Sequence, residues 1–322
     1  MEVEIGQASV HPTKLKFEKR SFVQPDKVFK VVVGAFAALV IVLLVWLGLQ
    51  LYSSSRLAFQ NLGFWGFITG TTWDPVTEVF GALPFIYGTL VTSFVALLIA
   101  TPLGVGTAIF LAEFAPKWLR RVLQPLVELL AGIPSVIYGL WGIFVLSPLM
   151  AMTVEPFLTT NFGFLPFFQG YALGVGMLTA SLILAIMIVP FIISVSTEVL
   201  STVSTPLKEG MYALGATKWE AVKKVSLPFA KSGIFGSIVL ALARALGETM
   251  AVTMVIGNTP QISASLLNPG YSMAAVIANE FTEATTNSYL SALVAVAFIL
   301  LLITLIVNGA ARWLIWRTTR TK

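Results

Sequence analysis

The sequence contains no cysteine and a single histidine, His11, among its 322 residues. The absence of cysteine excludes a disulfide framework and any metal site built from thiolates. His11 lies in a polar N-terminal segment, so no cluster of histidines is available to hold a metal or to act as a general base. No nucleophile–base pair can be assembled from the other residues. We therefore expect neither a metal, nor a cofactor, nor an enzymatic activity of the chain itself.

Charge is scarce as well. Only 11% of the residues are Asp, Glu, Lys or Arg, whereas 57% are hydrophobic and the mean hydropathy is +0.88. Soluble domains carry about 25% charged residues. A soluble domain could not cover its surface with so few charges, so the bilayer must be the solvent for much of this chain. The composition predicts an integral membrane protein.

Six apolar stretches have the length of a membrane-spanning helix, which takes about 20 residues. The predicted spans are residues 31–51, 85–111, 126–149, 169–194, 234–256 and 289–314. They leave a tail of residues 1–30 at one end of the chain and residues 315–322 at the other. A further short helix is predicted over residues 274–281. The predicted fold class is an all-α membrane protein with six transmembrane helices.

Lysine and arginine are concentrated in every second connecting segment, and the segment after the first predicted span holds only Arg56. The N-terminal tail holds six of them, the segment after the second predicted span holds three, and the segment after the fourth holds five. Segments 150–168 and 257–288 hold none. By the positive-inside rule, both termini and the two basic segments are expected in the cytoplasm. Glu113 precedes the basic residues Lys117, Arg120 and Arg121, and we expect it to pair with them.

A Gly-Lys dipeptide is absent from the whole sequence. A phosphate-binding loop of the Walker A type needs that dipeptide, because the lysine reaches the terminal phosphates of the nucleotide. The chain is therefore not expected to hydrolyse ATP by that route. If its transport is active, another polypeptide must supply the energy.

The cytoplasmic segment 197–232 is the longest basic segment between predicted spans. Pro206 follows residues that favour a helix start, Gly215 interrupts the helical pattern, and Thr217 with Glu220 forms a capping-box sequence. Pro228 is expected to end the segment, so that two short helices meet at Gly215. Such an exposed pair can dock into a groove of another protein. The alternative is an ordinary amphipathic loop at the membrane surface.

The same segment resembles the coupling motif of ABC importer permeases. In that family a Glu-Ala-Ala start is followed three residues later by Gly, then by nine residues and Ile-x-Leu-Pro. Here Glu209 and Gly215 stand at the first two positions, and Leu227 and Pro228 close the motif. The two alanines are replaced by Gly210 and Met211, and the isoleucine by Val225. The resemblance implies that Glu209, Gly215, Leu227 and Pro228 couple the chain to an ATPase.

Two further stretches, residues 132–144 and 242–258, resemble the phosphate importer permeases, and the run Arg-Ala-Leu-Gly-Glu-Thr over 244–249 favours the PstC type over the PstA type. The resemblance covers residues 80–314, which it identifies as the ABC transmembrane type-1 domain with a coupling loop over 204–228. It implies a bacterial plasma-membrane protein that pairs with a PstA-like permease. Two PstB-like ATPase subunits and an external phosphate-binding protein would complete the transporter. Membrane lipid is an expected partner, and nucleic acid is not.

Arg244 lies inside the fifth predicted span, ten residues from one end and twelve from the other, close to the bilayer midplane. A lone charge there costs at least ~2.5–3.5 kcal/mol on insertion scales. Glu248 follows four residues later, so both side chains are predicted on one face of the helix. They form either a structural ion pair in the bundle core or part of the substrate pathway. In the second case the guanidinium fork suits an oxyanion.

The sequence as a whole predicts a permease subunit that forms half of the pathway of an ATP-driven phosphate importer. It would work by alternating access and carry Arg244 and Glu248 in the pathway. Two alternatives remain: an importer of the same architecture for another oxyanion such as sulfate or molybdate, and a passive anion facilitator. A facilitator would have no use for a rigid docking loop.

Overall fold

A computed structural model describes residues 23–319, leaving aside the side chains of residues 23–26, 61, 62, 314, 318 and 319. Residues 1–22 of the predicted tail, 1–30, lie outside the described residues. Residues 320–322 of the predicted C-terminal segment, 315–322, also lie outside them. By compactness the chain divides into two units, residues 1–49 and 50–322. The described part of the first unit is a single apolar helix.

Helices make up most of the described part of the chain, together with one small antiparallel hairpin, β1 (Trp73–Asp74) and β2 (Val79–Phe80). The helices are α1 Val23–Ser54, α2 Arg56–Thr69, α3 Leu83–Ile109, α4 Lys117–Ala131, α5 Ser135–Trp141, α6 Ser147–Leu149, α7 Glu155–Phe162, α8 Met177–Ser201, α9 Thr205–Ala213, α10 Lys218–Ala221, α11 Leu227–Leu246, α12 Met250–Val255, α13 Met273–Glu280 and α14 Asn287–Thr319.

Six helical segments are long and apolar enough to cross a membrane, as the sequence predicts, and two of them, the third and the fifth, join two or more of these helices. They are, as spans one to six, Lys27–Ser54, Leu83–Phe114, Ser135–Phe162, Met177–Ser201, Lys218–Leu246 and Asn287–Arg317. The predicted fold class is thus confirmed. The bounds predicted for the third and fifth spans are wrong.

The third predicted span, 126–149, runs across the boundary between two separate helices. α4 ends at Ala131, and span three begins only at Ser135, after a turn through Gly132 and Pro134. Pro134 has extended backbone angles there, and a proline cannot donate the backbone hydrogen bond that a continuous helix needs. The apolar run continues through this turn, which is why hydropathy alone misplaces the boundary.

α4 is amphipathic rather than apolar all round. Its polar face carries Lys117, Arg121 and Glu128, whereas Trp118 and Leu129 lie on an adjacent side and are both more than two-thirds exposed. A remaining side packs against α8. This division between an exposed apolar face and a basic polar face is typical of a helix that lies along a membrane surface. α4 is therefore not the first half of a span.

The fifth predicted span, 234–256, is also interrupted. The long helix that begins at Lys218 ends at Leu246, and the chain leaves helical geometry over residues 247–249. The short helix α12 follows from Met250 to Val255. Arg244 consequently lies in the last turn of α11 rather than at the middle of a span, and Glu248 lies outside the helix.

Four π-helical turns occur within the described spans. Each accommodates one residue more than the regular α-helix does. They are Phe110–Phe114, Gly142–Leu146, Met150–Val154 and Val222–Ser226. The first closes the end of span two, and the last lies between α10 and α11, within the predicted coupling loop.

α8 is the centre of the second unit. In its most apolar window 67% of the residues are buried, against 28–33% in spans two, three, five and six. It packs along α3, where Gly104 lies directly against Ile192: a Cβ added at Gly104 would lie 2.7 Å from Cγ2 and 2.9 Å from Cβ of Ile192. The backbones of spans two and four can approach this closely only because position 104 has no side chain.

Replacing Gly104 with alanine is expected to lower the free energy of unfolding by about 1–3 kcal/mol, because the added methyl group overpacks the contact with Ile192. Gly106 is the matched control, since it lies in the same helix and a Cβ there would meet no atom within 4 Å. Gly106→Ala should be neutral or stabilising by up to ~1 kcal/mol, because alanine favours the helix. Thermal unfolding of the detergent-purified chain measures both, and equal shifts would refute the assignment.

The segment between spans five and six returns towards α3. The short helix predicted over 274–281 is present as α13, and the Ser272 hydroxyl caps it by accepting a hydrogen bond from the Ala275 N–H at 3.2 Å. Glu280 at its end accepts hydrogen bonds from Trp73 Nε1 at 2.8 Å and from the Tyr289 hydroxyl at 2.7 Å. This carboxylate thereby joins the β-hairpin, α13 and the start of span six.

Candidate coupling loop and substrate pathway

The predicted coupling loop begins with α9, which has Pro206 in its first turn and ends at Ala213, two residues before Gly215. Gly215 has a φ of +81°, a left-handed conformation that glycine adopts without the cost that a Cβ imposes. Its N–H donates to the Tyr212 carbonyl at 2.9 Å, and the Ala216 N–H donates to the Met211 carbonyl at 3.1 Å. This pair of bonds is the Schellman motif that ends a helix and turns the chain.

The second helix begins as predicted, with a complete capping box. The Thr217 hydroxyl accepts from the Glu220 N–H at 3.3 Å, and the Glu220 carboxylate accepts from the Thr217 N–H at 2.8 Å. Pro228 does not end this helix, contrary to the prediction. The π-turn Val222–Ser226 joins α10 to α11, so the second arm of the loop continues directly into span five. Pro228 follows this π-turn as the second residue of α11.

The four predicted coupling residues lie at different levels of this loop. Glu209 is exposed on α9, and Gly215 forms the turn between the arms. Leu227 and Pro228 are half-buried where span five leaves the loop. Their role in coupling stays a prediction.

Large apolar side chains are exposed around the turn. Leu214 is 85% exposed, Trp219 54% and Leu207 50%. Apolar groups of this size gain free energy when a partner removes them from water, at roughly 25 cal/mol per Å². A loop that combines a rigid turn with exposed apolar anchors has the properties of a protein-docking surface.

Lys208 fixes α9 to the end of span two. Its Nζ lies 2.7 Å from Oε1 of Glu113, and the two side chains are only 18% and 5% exposed. No other ion pair occurs among the side chains that the structure describes. Glu113 was expected to pair with Lys117, Arg120 or Arg121; that expectation is wrong, because the π-turn Phe110–Phe114 directs Glu113 to α9. No sequence spacing could reveal a pair whose members are 95 residues apart.

The neighbouring Phe114 contacts the other arm of the loop. Lys218 Nζ lies 5.2 Å from the centre of its ring, and the Trp219 ring lies 6.4 Å away. A cation within about 6 Å of an aromatic face is attracted to it. Glu113 and Phe114 thus connect the end of span two to both arms of the loop, α9 and α10.

The two predicted pathway residues flank the interruption of span five. Arg244 is in the last turn of α11, and Glu248 follows Gly247 in the non-helical segment. The prediction that both share one helical face is therefore wrong, and no ion pair joins them. Each charge instead lies at the helix end that favours it, since the end of a helix attracts cations and the beginning attracts anions.

Glu248 holds the second half of the interrupted span. Its Oε1 accepts a hydrogen bond from the Ala251 N–H at 3.2 Å, which satisfies a backbone donor in the first turn of α12. Arg244 is half-buried and forms no hydrogen bond or ion pair with any described group, although it lies within electrostatic range of the Tyr138 hydroxyl. That hydroxyl donates to the Leu130 carbonyl at 2.9 Å.

α5 supports α12 from the side of span three. A Cβ added at Gly139 would lie 2.5 Å from Sδ of Met254 and 3.1 Å from Cα of Ala251. The missing side chain therefore lets α5 pack directly on the short helix. The stretch 132–144, noted for its resemblance, thus serves two purposes: Pro134 separates span three from α4, and Gly139 positions α12.

Comparison with known proteins places this geometry in a family. Residues 100–320 match the family model described as the binding-protein-dependent transport system inner membrane component. The chain is 49% identical over 302 residues to the phosphate transport system permease protein PstC of Mesorhizobium japonicum, which covers 92% of each chain. It is 46% identical to the protein of that name from Haemophilus influenzae, over 92% of this chain and 95% of the relative.

Solved structures show the same fold at much lower identity. A bacterial ABC transporter involved in the import of the acidic polysaccharide alginate matches 92% of this chain with a TM-score of 0.57 and 17% identity, and all of that chain is covered. An inward-facing methionine ABC transporter, MetNI, matches 76% of this chain and 99% of its own, with a TM-score of 0.54 and 18% identity. The family match and the six spans agree: the chain belongs to the binding-protein-dependent transport system inner membrane components, the membrane permeases of ABC importers.

Proposed function

We propose that the chain forms half of the translocation pathway of an ATP-driven phosphate importer, with a PstA-like permease as the other half. Two PstB-like ATPase subunits dock on the cytoplasmic side, and an external phosphate-binding protein delivers the substrate. The observation that carries the choice of phosphate is the near-50% identity, over almost the whole chain, to relatives named as phosphate permeases. Both termini and the loop over 204–228 are cytoplasmic in this proposal.

The coupling step uses the rigidity of the loop. Nucleotide binding closes the ATPase pair and moves the helix–turn–helix around Gly215. One arm continues into span five, and both arms are attached to the end of span two through Glu113 and Phe114. A displacement of the loop therefore moves spans two and five together. The two permeases then open alternately to the outside and to the cytoplasm.

The substrate step uses Arg244. A guanidinium that is half-buried and lacks a protein acceptor retains its five N–H donors for an anion, and two of them can reach two oxygens of one phosphate. The interruption of span five supports this role, because non-helical backbone at membrane depth is tolerated where it is buried in protein or lines a polar cavity.

Phosphate uptake tests the proposal. The chain is expressed with its partner subunits in cells that lack their own high-affinity phosphate system, and uptake of labelled phosphate is followed with and without depletion of ATP. ATP-dependent uptake that excess sulfate and molybdate do not suppress is expected. Suppression by sulfate or molybdate would favour an importer of that oxyanion, and uptake that survives ATP depletion would favour a facilitator.

Glu209→Arg examines the docking surface in the same assay. Glu209 is exposed and makes no contact that maintains the fold, so the variant should reach the membrane at normal levels with an unchanged melting temperature. We expect at least a tenfold loss of ATPase subunits that co-purify, because charge reversal at a docked surface costs about 2 kcal/mol or more. Unchanged co-purification together with unchanged uptake would place the docking surface elsewhere.

Glu248→Gln examines selectivity. Glu248 can accept a hydrogen bond from the P–OH group of hydrogen phosphate, whereas sulfate has no such donor near neutral pH. A glutamine carbonyl can still accept from the Ala251 N–H, so the start of α12 should be preserved. The expected result is that sulfate competes with phosphate uptake in the variant and not in the parent chain. Identical competition curves for the two proteins would exclude Glu248 from selection.

A further inference from the structure

A groove of about 430 Å³ runs beside the base of span five. Its wall is formed by span two on one side and by the start of α11 on the other. The apolar residues that line it are Val105, Leu227, Pro228, Ile234, Phe235 and Ile238. Its volume is in the range of small-ligand sites, ~300–1,000 Å³. The groove therefore offers an apolar surface of ligand size between two membrane spans.

Two lysines line this groove, Lys223 at the end nearest the coupling loop and Lys231 about two helical turns further along. Lys223 lies in the π-turn Val222–Ser226 and Lys231 lies in α11, and both line the groove. Both are exposed, and neither forms an ion pair with a carboxylate of the described residues. The adjacent Lys224 is exposed too but does not line the groove. The end of the groove nearer the loop thus holds both cations, and the part beyond Lys231 is apolar.

The position of the groove along the spans matches the two parts of a phospholipid. The lysines belong to the basic segment that the positive-inside rule assigns to the cytoplasmic face, where the membrane carries its anionic lipids. Beyond Lys231 the lining along α11 is apolar, through Ile234, Phe235 and Ile238 of span five. Ammonium groups at headgroup level above an apolar cleft between helices are the arrangement that binds acidic phospholipids.

We propose that this groove is a binding site for an anionic phospholipid. The headgroup phosphate binds Lys223 and Lys231, and one acyl chain occupies the groove between spans two and five. Free phosphate shares the headgroup chemistry but would leave the apolar length of the groove unfilled, so the lipid is the better fit. Binding does not depend on the proposed transport function, because it requires neither nucleotide nor substrate.

The site adjoins the exit of the coupling loop. Leu227 and Pro228, which close the coupling motif, form part of the groove wall. A bound lipid would fill the space beside the π-turn that connects α10 to α11, and would hold that connection against span two. Occupancy of the groove should therefore stabilise the chain as well as retain the lipid.

Photocrosslinking tests the proposal. The full chain is solubilised from membranes in mild detergent with the subunits that co-purify, and incubated with phosphatidylglycerol that carries a photoreactive group on its acyl chain. Crosslinked peptides identified by mass spectrometry should include the segment 223–238. Unlabelled phosphatidylglycerol should compete, whereas phosphatidylcholine should not.

Matched variants separate the headgroup from the acyl chain. Lys223→Gln and Lys231→Gln should each weaken competition by phosphatidylglycerol about fivefold, the effect of one lysine near an anionic lipid. Lys224→Gln, which removes the same charge one residue away, should change it less than twofold. Ile238→Trp keeps both lysines and fills the groove, and should lower crosslinking at least fivefold. The melting temperature of each variant verifies that it is folded.

Three results would overturn the assignment. Phosphatidylcholine could compete as well as phosphatidylglycerol, which would make the groove a non-specific apolar surface. Lys224→Gln could weaken binding as much as Lys223→Gln, which would indicate a diffuse basic surface without a site. Inorganic phosphate at millimolar concentration could displace the crosslink, which would identify the cationic end as a site for the free anion.

Discussion

Replacing Arg244 with glutamine is expected to reduce the initial rate of phosphate uptake at least tenfold. Hydrogen bonds to a charged group contribute about 1.5–3 kcal/mol, and each 1.4 kcal/mol corresponds to a factor of ten. The guanidinium has no acceptor among the described residues, so its removal leaves no protein partner unsatisfied. The loss should therefore appear in transport and not in stability. Labelled uptake and the melting temperature measure the two separately.

Arg244→Lys provides the matched control. Lysine retains the positive charge but presents it as a compact point and cannot form the paired hydrogen bonds of the guanidinium fork. Its uptake should fall between that of the parent and that of Arg244→Gln. Normal uptake by Arg244→Gln would reduce Arg244 to a structural charge, and the anion path would then have to be sought on other helices. A drop in melting temperature equal in both variants would point the same way.

Charge reversal at Lys208 is expected to have the largest effect on the fold around the predicted coupling loop. Lys208→Glu places a second carboxylate against Glu113, whose side chain is only 5% exposed. Breaking a buried ion pair while one charge remains costs about 3–5 kcal/mol. The end of span two should then separate from α9, and ATP-dependent uptake should be lost. Uptake together with the melting temperature of the purified chain provides the measurement.

The double variant Lys208→Glu/Glu113→Lys restores opposite charges in reversed order. It should recover most of the melting temperature and part of the uptake, which a merely disrupted fold would not do. Glu209→Lys is the neighbouring control, because Glu209 is exposed and its reversal should leave the melting temperature unchanged. If the double variant is no more stable than Lys208→Glu, the ion pair is not what holds α9 to span two.

The number of spans was predictable because hydropathy measures the property that the bilayer selects. Length and apolar content are sufficient for that purpose, and neither depends on contacts with other segments. The turn at Gly215 and the capping box at Thr217 were predictable for a related reason: both are local, and the residues that form them lie within a few positions of one another. The turn and the start of the second helix in the loop could therefore be predicted from the sequence alone.

The interruptions of spans three and five could not be read in the same way. A turn through Pro134 or through Gly247 changes the backbone direction without changing the hydropathy of the window around it. Placing Arg244 and Glu248 on one helical face assumed a continuous helix, and that assumption failed at Gly247. The motif Gly132–Phe144 contained a proline signal for the first interruption, whereas the second had only a glycine, which membrane helices commonly tolerate.

The pair Lys208–Glu113 was beyond sequence reasoning for another reason. Each residue has several nearer partners of opposite charge in the chain, and proximity in sequence favoured Lys117 for Glu113. The folded arrangement of spans two and four decides the pairing instead, since it brings the end of one beside the beginning of α9. Contacts of this kind depend on tertiary packing, which a local pattern does not encode.

The π-turn Val222–Ser226 sets the orientation of α10 about the axis of span five. A regular α-helix advances 100° per residue, since it has 3.6 residues in each turn, so one surplus residue determines which way α10 faces around the axis of span five. Removing a single residue between Lys218 and Leu227 would restore regular helix and swing the docking arm about a quarter of a revolution. The number of residues between Lys218 and Leu227 therefore sets the direction in which α10 points. A deletion there can redirect the loop while every side chain of the coupling motif stays intact.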